Sequence, residues 1–284
     1  MTTIMRLTFI EMKKRRILYL TTGLTILFLG LYGFALKEVY KYFQTEEVAG
    51  LIRVGIISQM TSMGIYASGL IVSFLSIFAS AGAISADLEN GTYDAILSKP
   101  IHRWEILLGR YLGVLSLIIP YSIILIFSVL GLNLFFGKSA VAGISTISII
   151  RGIAYFSLLP TLLCSVGIFL SSTMSTLGSG IILGIMYFIG MIGGIIEGIG
   201  SILQNKVGII LGNIGIVTSL IMPTDVVYRK AVSSVFTGEN GINLAIDGIL
   251  QAKIQPSPAM IIYVFIYVIF FVVWAIKKFE KRDL

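Results

Sequence analysis

A chain of 284 residues that is 56% hydrophobic and 12% charged, with a mean hydropathy of +0.96, is no ordinary soluble domain, in which about a quarter of residues are charged. It is written for a bilayer, and its net charge of +7 lacks the basic stripe with interleaved aromatics of a nucleic-acid binder. A single cysteine, Cys164, and a single histidine, His102, exclude a disulfide framework and argue against metal chemistry.

In chain order, Met1–Arg16 reads as a basic interfacial helix, with Lys13–Arg16 placed for anionic headgroups. Its apolar residues (Ile4, Met5, Leu7, Phe9, Ile10, Met12) do not form one narrow stripe. The apolar run that follows is too long for a signal-peptide core, and no small-x-small cleavage site follows it. Spanning helices are predicted over Ile17–Leu36, Met60–Ala86, Ile106–Phe136, Ile149–Leu170, Leu177–Leu203 and Met260–Ile276, each near the roughly 20 residues a bilayer core requires. Lys37–Gln59 is expected to be an outer loop and Ser171–Thr176 a short inner turn. Pro120 should bend the third span. Arg110 should snorkel to the inner interface.

Val207–Met222 is apolar but short, and it contains Gly208, Gly212, Asn213 and Gly215. Charge decides its place. Arg6, Lys13, Lys14, Arg15 and Arg16 open the chain, and Lys277, Lys278, Lys281 and Arg282 close it. Lys and Arg favour the cytoplasmic side, so both ends lie inside and the span number is even. Six spans satisfy this, which puts Val207–Met222 on the outer side, re-entrant or interfacial, within an outer region 204–259. Lys99, Arg103 and Arg110 then bring the inner count to twelve of the 21 Lys and Arg. Asp225 and Arg229, four apart, support a helix and either cap the outer mouth or stabilise an exposed turn.

The most informative stretch is the polar interruption Asp87–Glu105 between the second and third spans. Asn90-Gly91 is a turn signal, and Asn90 or Thr92 can cap a following helix. Asp94 suits the first turn of that helix, and Pro100 ends it. The result is a helix of about two turns over Thr92–Ser98, with Tyr93, Ile96 and Leu97 on one apolar face. A partner cleft could hold it; an ordinary solvated loop is the plainer alternative. His102 reads as a surface contact.

In the fifth span, Gly190, Gly194 and Gly198 recur every four residues, which lets helix backbones approach closely in lipid. Packing inside one subunit and a dimer or conduit face both remain open. Glu197 sits beside this ridge near the outer boundary, where it either reaches water or serves substrate.

Glu89-x-Gly91-Thr92, Leu97-Ser98-x-Pro100 and Arg103-x-Glu105-x-x-x-Gly109-Arg110 together resemble the signature of ABC-2-type permeases, the membrane subunits of ATP-binding-cassette exporters. The basic N-terminal segment, Met222-Pro223-Thr224-Asp225 through Tyr228-Arg229, and the ending Phe279–Leu284 are similar to features of that family. The resemblance implies an all-α integral membrane fold: six transmembrane helices, an N-terminal interfacial helix, a short cytosolic coupling helix between spans 2 and 3, and an outer helical region between spans 5 and 6. It implies that Glu89, Gly91, Thr92, Tyr93, Ile96, Leu97, Pro100 and Arg103 couple the chain to an ATPase. It further implies no catalytic residue, cofactor or metal in this chain, since ATP and Mg belong to two copies of a partner ATPase. A second permease copy, as a homodimer or with a related permease, and room for an accessory protein on the outer side complete the assembly. The resemblance implies a prokaryotic cell membrane as the setting and export as the direction, with both termini expected on the cytoplasmic side.

Two other classes compete. An intramembrane enzyme requires convergent His, Cys or paired acids, which the sequence does not offer. An ATPase-independent carrier or immunity-type membrane protein should show paired intramembrane charges or an inverted repeat, and neither is evident. No Walker-type Gly-rich Lys loop occurs, so any nucleotide hydrolysis falls to another chain.

Overall fold

The computed structural model describes residues 1–45, 50–91, 102–136, 145–203, 205–236 and 256–281. Long apolar runs with few breakers become helices, because lipid leaves backbone groups no partner except their own helix. The helices are α1 (Thr2–Lys14), α2 (Arg16–Thr45), α3 (Gly50–Ala81), α4 (Ser85–Glu89), α5 (Arg103–Phe136) and α6 (Thr146–Phe156). They continue with α7 (Leu158–Thr173), α8 (Thr176–Ile202), α9 (Lys206–Ile221), α10 (Thr224–Phe236) and α11 (Pro258–Glu280). No strand occurs among the described residues.

Six units are long and apolar enough to cross a membrane: α2, α3 with α4, α5, α6 with α7, α8, and α11. The pair α9–α10 passes the same test together but bends by 101°, the geometry of a broken span or a re-entrant loop.

The core is built by α3, α5 and α7, which pack on one another. Ile65, Val72 and Leu75 of α3, Leu107, Val114 and Ile118 of α5, and Leu162, Leu163 and Cys164 of α7 are fully or almost fully buried. Around this core, α2 rests on α3 and α5, α11 rests on α7, and α8 carries α9. The polar node Tyr32–Asn133–Thr61 ties α2, α5 and α3 together: Asn133 Nδ2 donates to Tyr32 Oη at 2.8 Å, and Thr61 Oγ1 donates to Asn133 Oδ1 at 3.0 Å.

Four expectations are corrected. The Lys37–Gln59 loop is helical to Thr45 and again from Gly50. The second span is not one helix over Met60–Ala86: α3 stops at Ala81 and the chain restarts as α4. The fourth span breaks at Ser157, three residues before Pro160, whose missing N–H is tolerated in the first turn of α7. Arg110 does not reach out to the interface but lies buried within α5. The interfacial segment does form a helix, α1, which packs on α5 because Gly109 and Gly113 leave room for Ile4 and Thr8.

α8 and α9 form an antiparallel hairpin whose register is set by glycine. Gly190 meets Met222, Gly193 meets Thr218, Gly215 meets Glu197, and Gly200 meets Gly208 and Gly212. As the α8 number rises, the α9 number falls. A Cβ on Gly200 would stand 2.9 Å from both the Gly208 carbonyl oxygen and the Gly212 nitrogen, backbone atoms that have no side-chain freedom to yield. A Cβ on Gly212 would meet nothing within 4 Å. Gly200→Ala is therefore expected to destabilise the protein by about 1–3 kcal/mol through overpacking. Gly212→Ala should be neutral or stabilising by up to about 1 kcal/mol through helix propensity. Thermal unfolding of the two variants in detergent checks the opposite signs.

Candidate functional site

The break between α3 and α4 leaves backbone groups without helical partners, and in apolar surroundings each must find another. The N–H groups of Ile84 and Ser85 donate to Ser171 Oγ, at the end of α7, at 3.0 and 2.9 Å. The Gly82 carbonyl accepts from Arg15 Nη2 at 3.4 Å. Glycine at 82 keeps this corner close, since a Cβ there would stand 3.3 Å from Arg15 Nη1 and 3.2 Å from Thr176 Cγ2, and those side chains would have to give way by a few tenths of an ångström.

One turn further, the Glu89 carboxylate accepts from the Thr176 backbone N–H at 2.8 Å and from Thr176 Oγ1 at 3.1 Å. Thr176 opens α8, so Glu89 satisfies an orphan N–H and sets a negative charge at the positive end of the α8 dipole. Ser85 Oγ and Thr176 Oγ1 are also hydrogen-bonded, at 2.8 Å.

Charge closes the junction from the other side. Buried Arg110 of α5 pairs with Glu11 of α1 and with Asp87 of α4. Burial lowers the Arg15 guanidinium from its ordinary value, while Glu11 and Asp87 oppose that shift. Arg103 Nη1 donates to the Glu280 carbonyl at 3.2 Å, joining the start of α5 to the end of α11. The short helix α4 is thus bonded to α5 and to the α7–α8 turn, and the break that precedes it is bonded to the α1–α2 corner through Arg15.

Of the residues expected to couple to an ATPase, Glu89 lies in this junction and Gly91 just beyond it. Gly91 has φ +67°, the left-handed conformation that the Asn90-Gly91 signal anticipates and that glycine adopts without a steric cost. Arg103 begins α5. Thr92, Tyr93, Ile96, Leu97 and Pro100 lie outside the described residues. His102 is exposed. The sequence reading missed Ser171, Thr176, Glu11 and Arg15 as partners of this stretch. An arginine inside an apolar run, which needs counter-ions, was the one available signal.

A second polar cluster lies on the α8–α10 face. Arg229 forms a bidentate pair with Glu197: Nη1 to Oε1 at 3.0 Å and Nη2 to Oε2 at 2.7 Å. Asp225 Oδ2 lies 2.7 Å from Arg229 Nε, an ionic contact whose angle does not make a hydrogen bond. The Arg229 and Glu197 side chains are only 5% and 3% exposed.

This corrects three expectations. Glu197 does not reach water, Asp225 and Arg229 do not sit on an exposed turn, and a pair of opposite charges does lie buried between helices. The glycine ridge is why: Gly194 opens α8 to the Asp225 carboxylate, and Gly190 opens it to Met222 and Thr224. The faces of Gly190 and Gly194 are therefore occupied by the chain's own α9–α10 segment, and Gly198 is buried on the same helix.

Removing Arg229 would strand two buried carboxylates, whereas removing Glu197 leaves Arg229 with Asp225. Arg229→Ala should cost about 3–5 kcal/mol of stability, and Glu197→Gln clearly less. Denaturant or thermal unfolding of both variants reads this order directly.

The family model described as ABC-2 family transporter protein matches residues 5–284. No match to a curated protein emerges. The matched region takes in most of α1, all of α2 to α11, both polar clusters and the interruption between α4 and α5. The chain is a multi-pass membrane protein and belongs to the ABC-2 transporter family, whose members are membrane subunits of ABC transporters.

Proposed function

We propose that this permease subunit exports its substrate and is driven by two copies of a separate ABC ATPase that grip the interruption Asp87–Glu105. The observation that carries this reading is the root of that interruption: Glu89 bonded to the first residue of α8, with Ser171 of α7 holding the α4 N–H groups. Displacement of the stretch 92–101 would be passed through Glu89 and Asp87 to α8 and α5 rather than lost in a slack loop. Energy passes only through contacts that differ between two states, and a junction bonded to several helices is where such contacts can change together.

In this reading the stretch is cytosolic and both termini lie inside a prokaryotic cell membrane. Thr92, Tyr93, Ile96, Leu97 and Pro100 form the knob that enters the ATPase. ATP and Mg are held by the ATPase. A second permease copy completes the path as a homodimer, and the outer region 204–259 offers room for an accessory protein.

The buried Arg229–Glu197 pair favours one other reading, an ATPase-independent carrier, since paired charges between helices mark ion pathways in such proteins. Both Glu197 oxygens are spent on Arg229, so a structural clamp explains the pair without cargo.

The test uses the full chain co-expressed with its ATPase. Wild-type permease should co-purify with the ATPase and change its hydrolysis rate. Combining Tyr93→Ala and Leu97→Ala should abolish co-purification. Glu89→Ala should leave co-purification intact yet reduce the permease-dependent change in hydrolysis by about tenfold, equivalent to about 1.4 kcal/mol of coupling. Unaltered control of hydrolysis in Glu89→Ala, or a permease that never engages an ATPase, would overturn the proposal.

A further inference from the structure

The basic groups of this chain fall into two kinds. Arg110 and Arg229 are paired with carboxylates, and Arg15 and Arg103 donate to carbonyls. Lys277, Lys278 and Lys281 have no acidic partner among the described residues. These three lysines, with Trp274, form one wall of an open groove of about 1000 Å³, solvent included, whose other wall is Ser172 and Thr173 at the end of α7. Ser172 is buried at that wall, while half-buried Thr173 donates back to the Leu170 carbonyl at 3.0 Å and so can act toward the groove as an acceptor. Three like charges crowded at one mouth favour an anion.

The groove does not stand alone. Trp274 stacks on Phe169 of α7, with ring centroids 4.4 Å apart, and remains 39% exposed, the amphipathic placement typical of a headgroup boundary. From the groove, Val273, Phe270, Ile266 and Ile262 run along α11 at helical spacing, all exposed to the surroundings of the bundle. Eleven residues of helix between Val273 and Ile262 rise about 16 Å, close to half of the roughly 30 Å hydrocarbon core. A polar mouth with three ammonium groups that no carboxylate among the described residues pairs therefore caps an apolar strip one leaflet long.

We propose that this groove is a binding site for an anionic glycerophospholipid. The lysines take the phosphate, Thr173 accepts from a headgroup hydroxyl, and one acyl chain lies along the α11 strip. Basic pockets between spans are suited to such headgroups. The strip distinguishes a lipid from free phosphate, which has no use for an apolar surface.

The test measures retention of phosphatidylglycerol against phosphatidylcholine by the purified full-length chain, using native mass spectrometry. Wild type should retain phosphatidylglycerol preferentially. Replacing Lys277, Lys278 and Lys281 together by Gln should lower that retention at least about tenfold, since each lysine near an anionic surface contributes roughly fivefold. Replacing Lys37, Arg151 and Lys206 by Gln removes the same charge from exposed positions on α2, α6 and α9 and should leave retention within about twofold of wild type. The groove lysines are exposed, so the variants should fold, and an unchanged helical circular-dichroism signal verifies this. Equal loss from both triple variants would overturn the site in favour of diffuse charge attraction. Displacement of the lipid by inorganic phosphate at millimolar concentration would overturn the lipid assignment in favour of a free-anion site.

Discussion

The protein depends on how it satisfies a helix that stops inside an apolar bundle. When α3 ends at Ala81, the carbonyl of Gly82 and the N–H groups of Ile84 and Ser85 lose their helical partners. Arg15 and Ser171 supply replacements, and Glu89 then caps α8. An unpaired buried backbone group costs about 1–3 kcal/mol, so the three segments that provide partners are held where the break requires them. The α1–α2 corner, the α7–α8 turn and α4 with the break before it are bonded into one knot, and Arg110 adds α5 to it through Asp87. The polar stretch that follows Gly91 is anchored to this knot at one end and to α5 at the other.

The opposite side of the bundle uses a different device. There, glycines on α8 and α9 remove side chains so that α9 can run antiparallel along α8 and turn sharply into α10. The turn brings Arg229 against Glu197, and the buried pair locks the hairpin to α8. Replacing such a pair with apolar side chains is often tolerated, whereas losing one member is not. The clamp therefore fixes which way α10 packs as much as how tightly. One side of the molecule is organised by backbone groups seeking partners, and the other by backbones brought close enough to bury charge.

Much of this plan was legible in the sequence, for specific reasons. Hydropathy located the six spanning units because lipid permits few polar residues at those positions. Asn90-Gly91 announced a turn because only a residue tolerant of positive φ suits it, and Gly91 adopts φ +67°. The ridge Gly190, Gly194, Gly198 declared a close approach, but periodicity names a face and not the helix that meets it. What escaped was tertiary. The break at Gly82 falls in a run whose hydropathy continues to Ala86, and the break at Ser157 is marked only by Pro160, a residue that hydropathy alone passes over. Arg110 and Glu197 stand near predicted span ends and Arg229 in the predicted outer region, so a contact with the interface or with water was among the readings of each. Their burial follows from counter-ions on other helices: Glu11, about a hundred residues away from Arg110, and an α10 segment folded back on α8. The lever Thr92–Ser98 itself lies outside the described residues, so its helix stands on the sequence and the family resemblance.

The central claim is that the α4 knot moves as one body with the start of α8 when the ATPase acts. Spin labels at Asn90 and Leu177, both exposed, report on the two sides of the Glu89–Thr176 contact, and a label at exposed Ile262 marks the far end of α11. Distances measured by pulsed electron paramagnetic resonance in the permease–ATPase complex, with and without ATP, decide the matter. An unchanged Asn90–Leu177 distance together with an ATP-dependent shift in Leu177–Ile262 is the predicted result. A shift in Asn90–Leu177 while Leu177–Ile262 stays fixed would show that the stretch moves independently of the bundle, and would contradict it.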